Sequence, residues 1–345
     1  MTPAAGRDPR LLVLAWDRTQ PRTRALGPAL GGDSRHIYGG WPGRHRGLLP
    51  VRYVADAARM WRRLRQERPD VLVVISPPVI APLVAWLWSA LHPCRLVVDC
   101  HTGALHWPKW GWTRPLHRLL FRRAHAVLVQ TEEDEARLRA WGTPVVLLPD
   151  DLPDPSEADP GPPGRGVPRV VVAGSFDWNE PVAAALAAAA LVPEVEFRLT
   201  GDVSRLPRSV RAGAPANVVF TGYLPYAQFL GELLTVDVVA VFSTDPHIMN
   251  RAAFEAVGLG RPLVLSDLPG LRARFGEGAV LCPNDAASMA EAIRLAQRDR
   301  DILAERSRAL RRRLQAQREA ALAQLQSMVR SRQVPAAGAR VRSHP

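Results

Sequence analysis

Short, wholly apolar runs alternate with helical patterns along nearly the whole chain, and one segment rich in Pro, Gly and acids cuts that alternation in two. The dividing segment, residues 150–168, reads DDLPDPSEADPGPPGRGVP. Its prolines fix φ and lack a backbone N–H, so it continues neither strand nor helix. Before it, apolar runs at 11–16, 71–75, 95–99, 126–130 and 145–148 alternate with helical stretches near 55–66, 79–91, 113–123 and 132–140. After it, runs at 169–173, 195–199, 218–220, 238–242, 263–265 and 280–281 alternate with helices near 181–190, 226–234, 250–258 and 286–297. Strands that are apolar on both faces need helices on both faces, which a doubly wound parallel sheet supplies. The expected fold is therefore α/β, with two Rossmann-like units facing a cleft. The expected divisions are 1–150, a linker at 151–168, 169–297, a helix over 298–330 that returns to the first unit, and a disordered tail at 331–345. In that last helix Leu303, Leu310, Leu314, Leu325 and Met328 form one apolar stripe. A length of 345 residues suits two domains.

Charge is uneven. The net +12 comes from residues 1–150, with 22 Lys and Arg against 12 acids, and from residues 298–345, with 12 against 4; residues 151–297 carry 11 against 17. A basic first half and tail fit either Arg-rich solvated helices or a polyanion, of which an anionic membrane leaflet is the expected one. No nucleic-acid module is present in the sequence, so nucleic acid is not an expected partner. Cys94, Cys100 and Cys282 have no paired or metal-ligand spacing, which implies reduced, buried thiols. With no signal-peptide pattern at the start, the expected location is the cytoplasm, at the inner face of the membrane. Residues 71–94 hold no charge and are long enough to span a bilayer, but Pro77, Pro78, Pro82 and Pro93 favour a strand followed by a buried helix. Trp86, Trp88 and the loop Trp107–Trp112 are candidates for shallow membrane contact.

Ligands of open parallel sheets sit beyond the carboxyl ends of the strands, so the strand-end loops hold the candidate chemistry. The loop after the first run, residues 17–24, offers Arg18 and Arg22 to a phosphate and Asp17 as a base. It lacks a Gly-rich phosphate turn, which disfavours a nicotinamide dehydrogenase. VDCHTG places His101 one step past a strand end, with Asp99 to orient it as a general base. In the second half, Gly174 and Ser175 follow the first strand and permit close approach by a phosphate, with Asp177 or Asn179 as a helix cap and Trp178 beside them, and Tyr223 follows another strand and can flank a base. Residues 237–270 read strand, loop, helix, strand. There the main-chain N–H groups of Met249, Asn250 and Arg251 open a helix and suit a diphosphate, and Glu255 further along the same helix suits the hydroxyls of a ribose. No DxD pattern stands at a strand end, so no metal is expected, and no cofactor is expected either.

These loops together resemble the glycosyltransferases of family 4, whose fold is GT-B. The family's pattern is Glu, seven residues, Glu, then a small-residue turn. Glu255 matches the second Glu, which the resemblance implies binds the donor ribose. His247 stands where the first Glu would touch the transferred sugar, so this chain departs there and His247 becomes a candidate in that role. The family's Arg and Lys after the first strand of the second half are replaced by Ser175-Phe176-Asp177-Trp178. That loop, PRTRALG and VDCHTG are similar to those of the chitobiosyldiphosphodolichol β-mannosyltransferases, which act on a lipid-linked acceptor. The resemblance implies transfer of a hexose-type sugar from a UDP- or GDP-sugar to a glycan or lipid-linked acceptor. The alternatives are a sugar-nucleotide epimerase of the same fold and a non-catalytic basic binding protein.

Overall fold

The computed structural model describes residues 9–18, 20–39, 49–159, 161 and 166–330. It contains two compact units, Met1–Pro149 with Gln317–Pro345, and Asp150–Ala316.

The first unit holds β1 (Leu11–Ala15), β2 (Asp33–His36), β3 (Val71–Ser76), β4 (Arg95–Cys100), β5 (Ala126–Val129) and β6 (Val145–Leu147). They form one sheet in the order β2-β1-β3-β4-β5-β6, with every pair parallel. β1, β3 and β5 are buried at every position, as strands between two helix layers must be. One layer, from helices Leu49–Glu67, Ile80–Leu91 and Arg114–Arg123, contributes Met60, Leu64, Val84, Trp88, Leu120 and Phe121. The other contributes Leu26 from helix Pro21–Ala29, and Ala321, Leu325 and Val329 from the last turns of helix Arg300–Arg330.

The apolar runs anticipate every strand here but β2. Its sequence, Asp-Ser-Arg-His, is that of a polar edge strand and gives no apolar signal. The reading of residues 17–24 as one loop also needs correction, because a helix begins at Pro21, where the missing N–H costs nothing. Residues 71–94 are β3 and a 12-residue helix, and no helix among the described residues is long and apolar enough to cross a membrane. Trp88, expected near a lipid surface, is instead 2% exposed and stacks on His92 at 3.6 Å.

The second unit holds β7 (Arg169–Val172), β8 (Glu196–Thr200), β9 (Val218–Gly222), β10 (Val238–Val241), β11 (Leu263–Ser266) and β12 (Ala279–Cys282). The order is β12-β11-β10-β7-β8-β9, again all parallel. Phe197, Ile293 and Leu303 lie in the core on one face, and Phe254, Phe275 and Leu314 on the other. The start of the expected linker belongs to this unit and is ordered. Asp154 and Glu157 close a capping box there, and Gly258 lies so close to Pro153 that a Cβ would sit 2.6 Å from its Cδ. Residues 162–165 and the expected tail at 331–345 lie outside the described residues. All three cysteines are free and buried, and burial pushes Cys94 and Cys282 up to about 12, which makes them inert packing groups.

In each sheet the order reverses beside the first strand, between β1 and β3 and between β7 and β10. Loops that leave in opposite directions at such a point open a crevice, and the candidate residues follow these strands and their neighbours.

Candidate functional site

In the first unit the loop after β1 meets the end of β4. Asp99, fully buried, accepts from Arg22 Nε at 2.9 and 3.1 Å, and Arg22 Nη2 donates to the Leu148 carbonyl at 3.1 Å. Burial alone would raise the Asp99 pKa, but Arg22 and then His101 outweigh it and hold the carboxyl well below its ordinary range. His101 Nε2 is 3.3 Å from Asp99 Oδ2, and the Gln20 amide approaches the same ring at 3.3 Å. The imidazole keeps 24% of its side-chain surface exposed. Gln20 is fixed in turn by the Thr23 hydroxyl at 2.6 Å. This is an oriented imidazole at a strand end with one face open.

The structure corrects the expectation for Arg22. Only 4% exposed and committed to Asp99 and Leu148, it has no charge to offer a phosphate. Arg18 is exposed and lies over the Tyr38 ring at 4.8 Å. Asp17, also exposed, accepts from the Arg18 amide at 2.6 Å. His106, which the sequence reading passed over, bonds Asp134 at 2.7 Å and ties the loop after β4 to helix Glu132–Ala140.

In the second unit a buried polar network joins the loops after β7, β10, β11 and β12. Asn179 donates to the Ser243 hydroxyl at 3.1 Å and accepts from the Thr244 amide at 2.7 Å. Ser266 accepts from the Ser243 amide at 2.9 Å and donates to Asn284 at 2.6 Å, and Asn284 donates to the Ser243 carbonyl at 2.8 Å. Each member satisfies another, which fixes the loop from which residues 244–250 project. His247 lies on that loop, its amide bonded to Asp245 at 2.9 Å.

The loop after β7 differs from the expectation. The amides of Ser175 and Phe176 both donate to the Glu180 carboxylate, at 2.8–3.1 Å, so they are not free for a phosphate. Neither Asp177 nor Asn179 caps the next helix, whose start has no side-chain cap. Asp177 instead accepts from Arg205 at 2.7 Å. Gly201 stands at φ +128°, and a Cβ there would come within 3.0 Å of the Gly174 carbonyl and the Phe176 ring. Trp178 and Tyr223 are 73% and 80% exposed, which leaves both rings free to stack. Glu180→Ala is expected to lower stability by about 1–3 kcal/mol, since two amides lose a charged acceptor. Hydrogen exchange at Ser175 and Phe176 should accelerate; unchanged protection there would refute the anchoring role.

Helix Arg251–Gly258 begins at Asn250, whose side chain makes no cap and whose Oδ1 is buried without a partner. Met249 is buried in the core on its side chain. Arg251 binds Asp151 through both nitrogens at 2.9 and 3.0 Å, and Glu255 through Nε at 3.0 Å. Tyr226 also bonds Glu255. Glu255 is therefore not an open carboxylate, as the sequence suggested, but one 4% exposed with partners of its own. Burial raises it to about 7, against the opposing pull of Arg251 and Tyr226. Arg251 is held above its ordinary range by Asp151 and then Glu255, despite its burial. One guanidinium serves two carboxylates here, and Asp151 has the bidentate share while Glu255 has a single contact.

Sequence reasoning missed Asp151, Tyr226, Glu180 and the Ser243–Ser266–Asn284 network. Small polar residues directly after apolar runs were the available signal for the network. Nothing local marks Asp151 or Tyr226, which reach Arg251 from 100 and 25 residues away in the chain.

The chain matches two family models, a glycosyl transferase 4-like domain over residues 2–151 and glycosyl transferases group 1 over residues 167–299. Among solved structures it is similar to sucrose-phosphate synthase from Thermosynechococcus elongatus, with TM-score 0.73 and 18% identity over 93% of this chain and 98% of that one. It is also similar to Anabaena HepE in complex with UDP and glucose, with TM-score 0.70 and 16% identity over 94% and 100%. A curated methionyl-tRNA formyltransferase from Bordetella petrii is 31% identical over 118 residues. That stretch is 34% of this chain and 35% of the formyltransferase, too little of either to assign a family. Two doubly wound parallel sheets, matched one after the other by these two models, place the chain among the GT-B glycosyltransferases that join a 4-like domain to a group 1 domain.

Proposed function

We propose that the protein transfers a hexose-type sugar from a UDP- or GDP-sugar to a glycan or lipid-linked acceptor, with the donor held by the second unit. The observation that carries this reading is the cluster of Arg251, Glu255, Asp151 and Tyr226 at the start of the helix after β10, beside the point where the second sheet reverses. A helix start without a side-chain cap leaves main-chain donors at Met249, Asn250 and Arg251 for a diphosphate. Glu255 accepts from the ribose, the unpaired Asn250 Oδ1 takes a further hydroxyl, and Trp178 or Tyr223 flanks the base. His247, on the loop after β10, faces the transferred sugar in this reading. HepE was solved with UDP and glucose, which supports a UDP-sugar for a chain of the same fold.

Thermal-shift titration against UDP- and GDP-hexoses tests the assignment. One base class should raise the melting temperature of the wild type and much less that of Glu255→Gln; equal shifts in the two proteins would reject the ribose contact. The pH dependence has a definite sign. With Glu255 at about 7, the carboxylate form that accepts hydroxyl protons grows through neutrality. Donor affinity is expected to rise about tenfold from pH 6 to 8 and to be flat in Glu255→Gln. Folding runs the other way. An acid whose folded pKa is raised costs stability as pH climbs from its unfolded value near 4.5 through about 7. Turnover of donor without acceptor would instead mark an epimerase.

A further inference from the structure

We propose that the first unit carries a docking face for an anionic lipid bilayer, built from helix Ile80–Leu91, the turn Pro108–Thr113 and helix Arg114–Arg123. Four large apolar side chains stand exposed on these elements: Leu87 at 43%, Leu91 at 69%, Trp112 at 79% and Leu119 at 47%. They fall into two helical stripes. Leu87 and Leu91 lie four residues apart on one helix, and Trp112, Pro115 and Leu119 follow one another at three- and four-residue steps, all of them exposed. The two helices pack on one another, and the Arg123 guanidinium bridges them, 5.7 Å from the Trp86 ring centroid.

The charge on the same stretch has one sign. Between Asp70 and Glu132 the only acid is Asp99, which is fully buried and paired with Arg22. The same stretch holds Arg95, Lys109, Arg114, Arg118, Arg122 and Arg123. Among the described residues, Arg114, Arg118, Arg122 and Arg123 are exposed and form no ion pair. Lys109 sits over the Trp107 ring at 4.5 Å.

A nucleic acid would satisfy the arginines but give exposed leucines no apolar partner. A bilayer interface satisfies both, because tryptophan and leucine enter the acyl boundary while guanidinium groups meet lipid phosphates.

The test uses the full chain in vesicle co-sedimentation, comparing phosphatidylcholine alone with vesicles containing roughly a third phosphatidylglycerol. Retention is expected on the anionic vesicles only, falling as salt rises. Arg118→Glu/Arg122→Glu should weaken vesicle affinity about tenfold or more. Trp112→Ser/Leu119→Ser should weaken it comparably while leaving the salt dependence in place. Arg306→Glu/Arg312→Glu, the same charge change at exposed sites on the final helix, should bind as wild type. All variants should keep the wild-type melting temperature and nucleotide-induced shift, which separates this inference from the donor assignment. Equal retention on neutral vesicles, wild-type binding by either face variant, equal loss in the final-helix variant, or binding to duplex DNA without vesicle binding would each overturn it.

Discussion

Arg22→Met is expected to destabilise the first unit by about 3–5 kcal/mol, because it leaves the Asp99 charge buried without its partner. The magnitude follows from what Arg22 joins. Its guanidinium links helix Pro21–Ala29 to β4 through Asp99 and to the end of β6 through the Leu148 carbonyl. Asp99 and Arg22 are 0% and 4% exposed, so water cannot replace the lost donor. The pH dependence distinguishes this from a packing defect. In the wild type the depressed Asp99 pKa contributes stability above the ordinary carboxylate range, and that contribution is lost only as pH falls through it. In the variant the main opposing charge is gone and burial raises the carboxyl. The deficit should then be greatest at neutral pH and shrink toward pH 5, as Asp99 takes up a proton. Arg22→Met/Asp99→Leu should recover much of the loss, since an apolar pair replaces a lone charge. Chemical denaturation at two pH values reads all of this. A single variant as stable as wild type at pH 7 would remove Arg22 from the structural role assigned to it.

That pair shows where sequence reading succeeds and where it stops. Strands buried on both faces announce themselves as apolar runs, so eleven of the twelve strands among the described residues are visible in the sequence, along with both sheets' parallel character. β2 was invisible because a polar edge strand carries no such run. Candidate residues could be placed at strand ends by the topology rule, which set Arg22, Asp99, His101 and Glu255 near their loops. What it could not supply was each side chain's partner. Arg22 and Asp99 are 77 residues apart, and Arg251 and Asp151 are 100 apart. Whether an arginine is open to a phosphate or closed on a carboxylate depends on that pairing, and nothing in its local sequence differs between the two cases. The loop after β7 makes the same point. Gly174-Ser175 reads as a phosphate turn until Glu180, five residues past Ser175, folds back onto its amides.

His101→Ala is expected to reduce turnover by about 10²- to 10⁴-fold with donor affinity unchanged, in keeping with loss of a positioned acid–base group. The geometry gives His101 three properties that the neighbouring residues lack together. It follows β4 directly, it is held by Asp99 and Gln20, and its ring keeps an open face. Asp99 differs from a free carboxylate in one respect that shapes the expectation. Arg22 already claims it through Nε, and Asp99 fixes the orientation of the imidazole through its other contact. Asp99→Asn should therefore damage stability and activity together, whereas Gln20→Ala should touch only the ring's orientation and lower turnover modestly, by about tenfold or less. The decisive comparison is kcat against nucleotide affinity in His101→Ala. Wild-type turnover in that variant would exclude the imidazole from the reaction. Loss of nucleotide binding in step with turnover would show that His101 holds the first unit's loops and performs no chemistry itself.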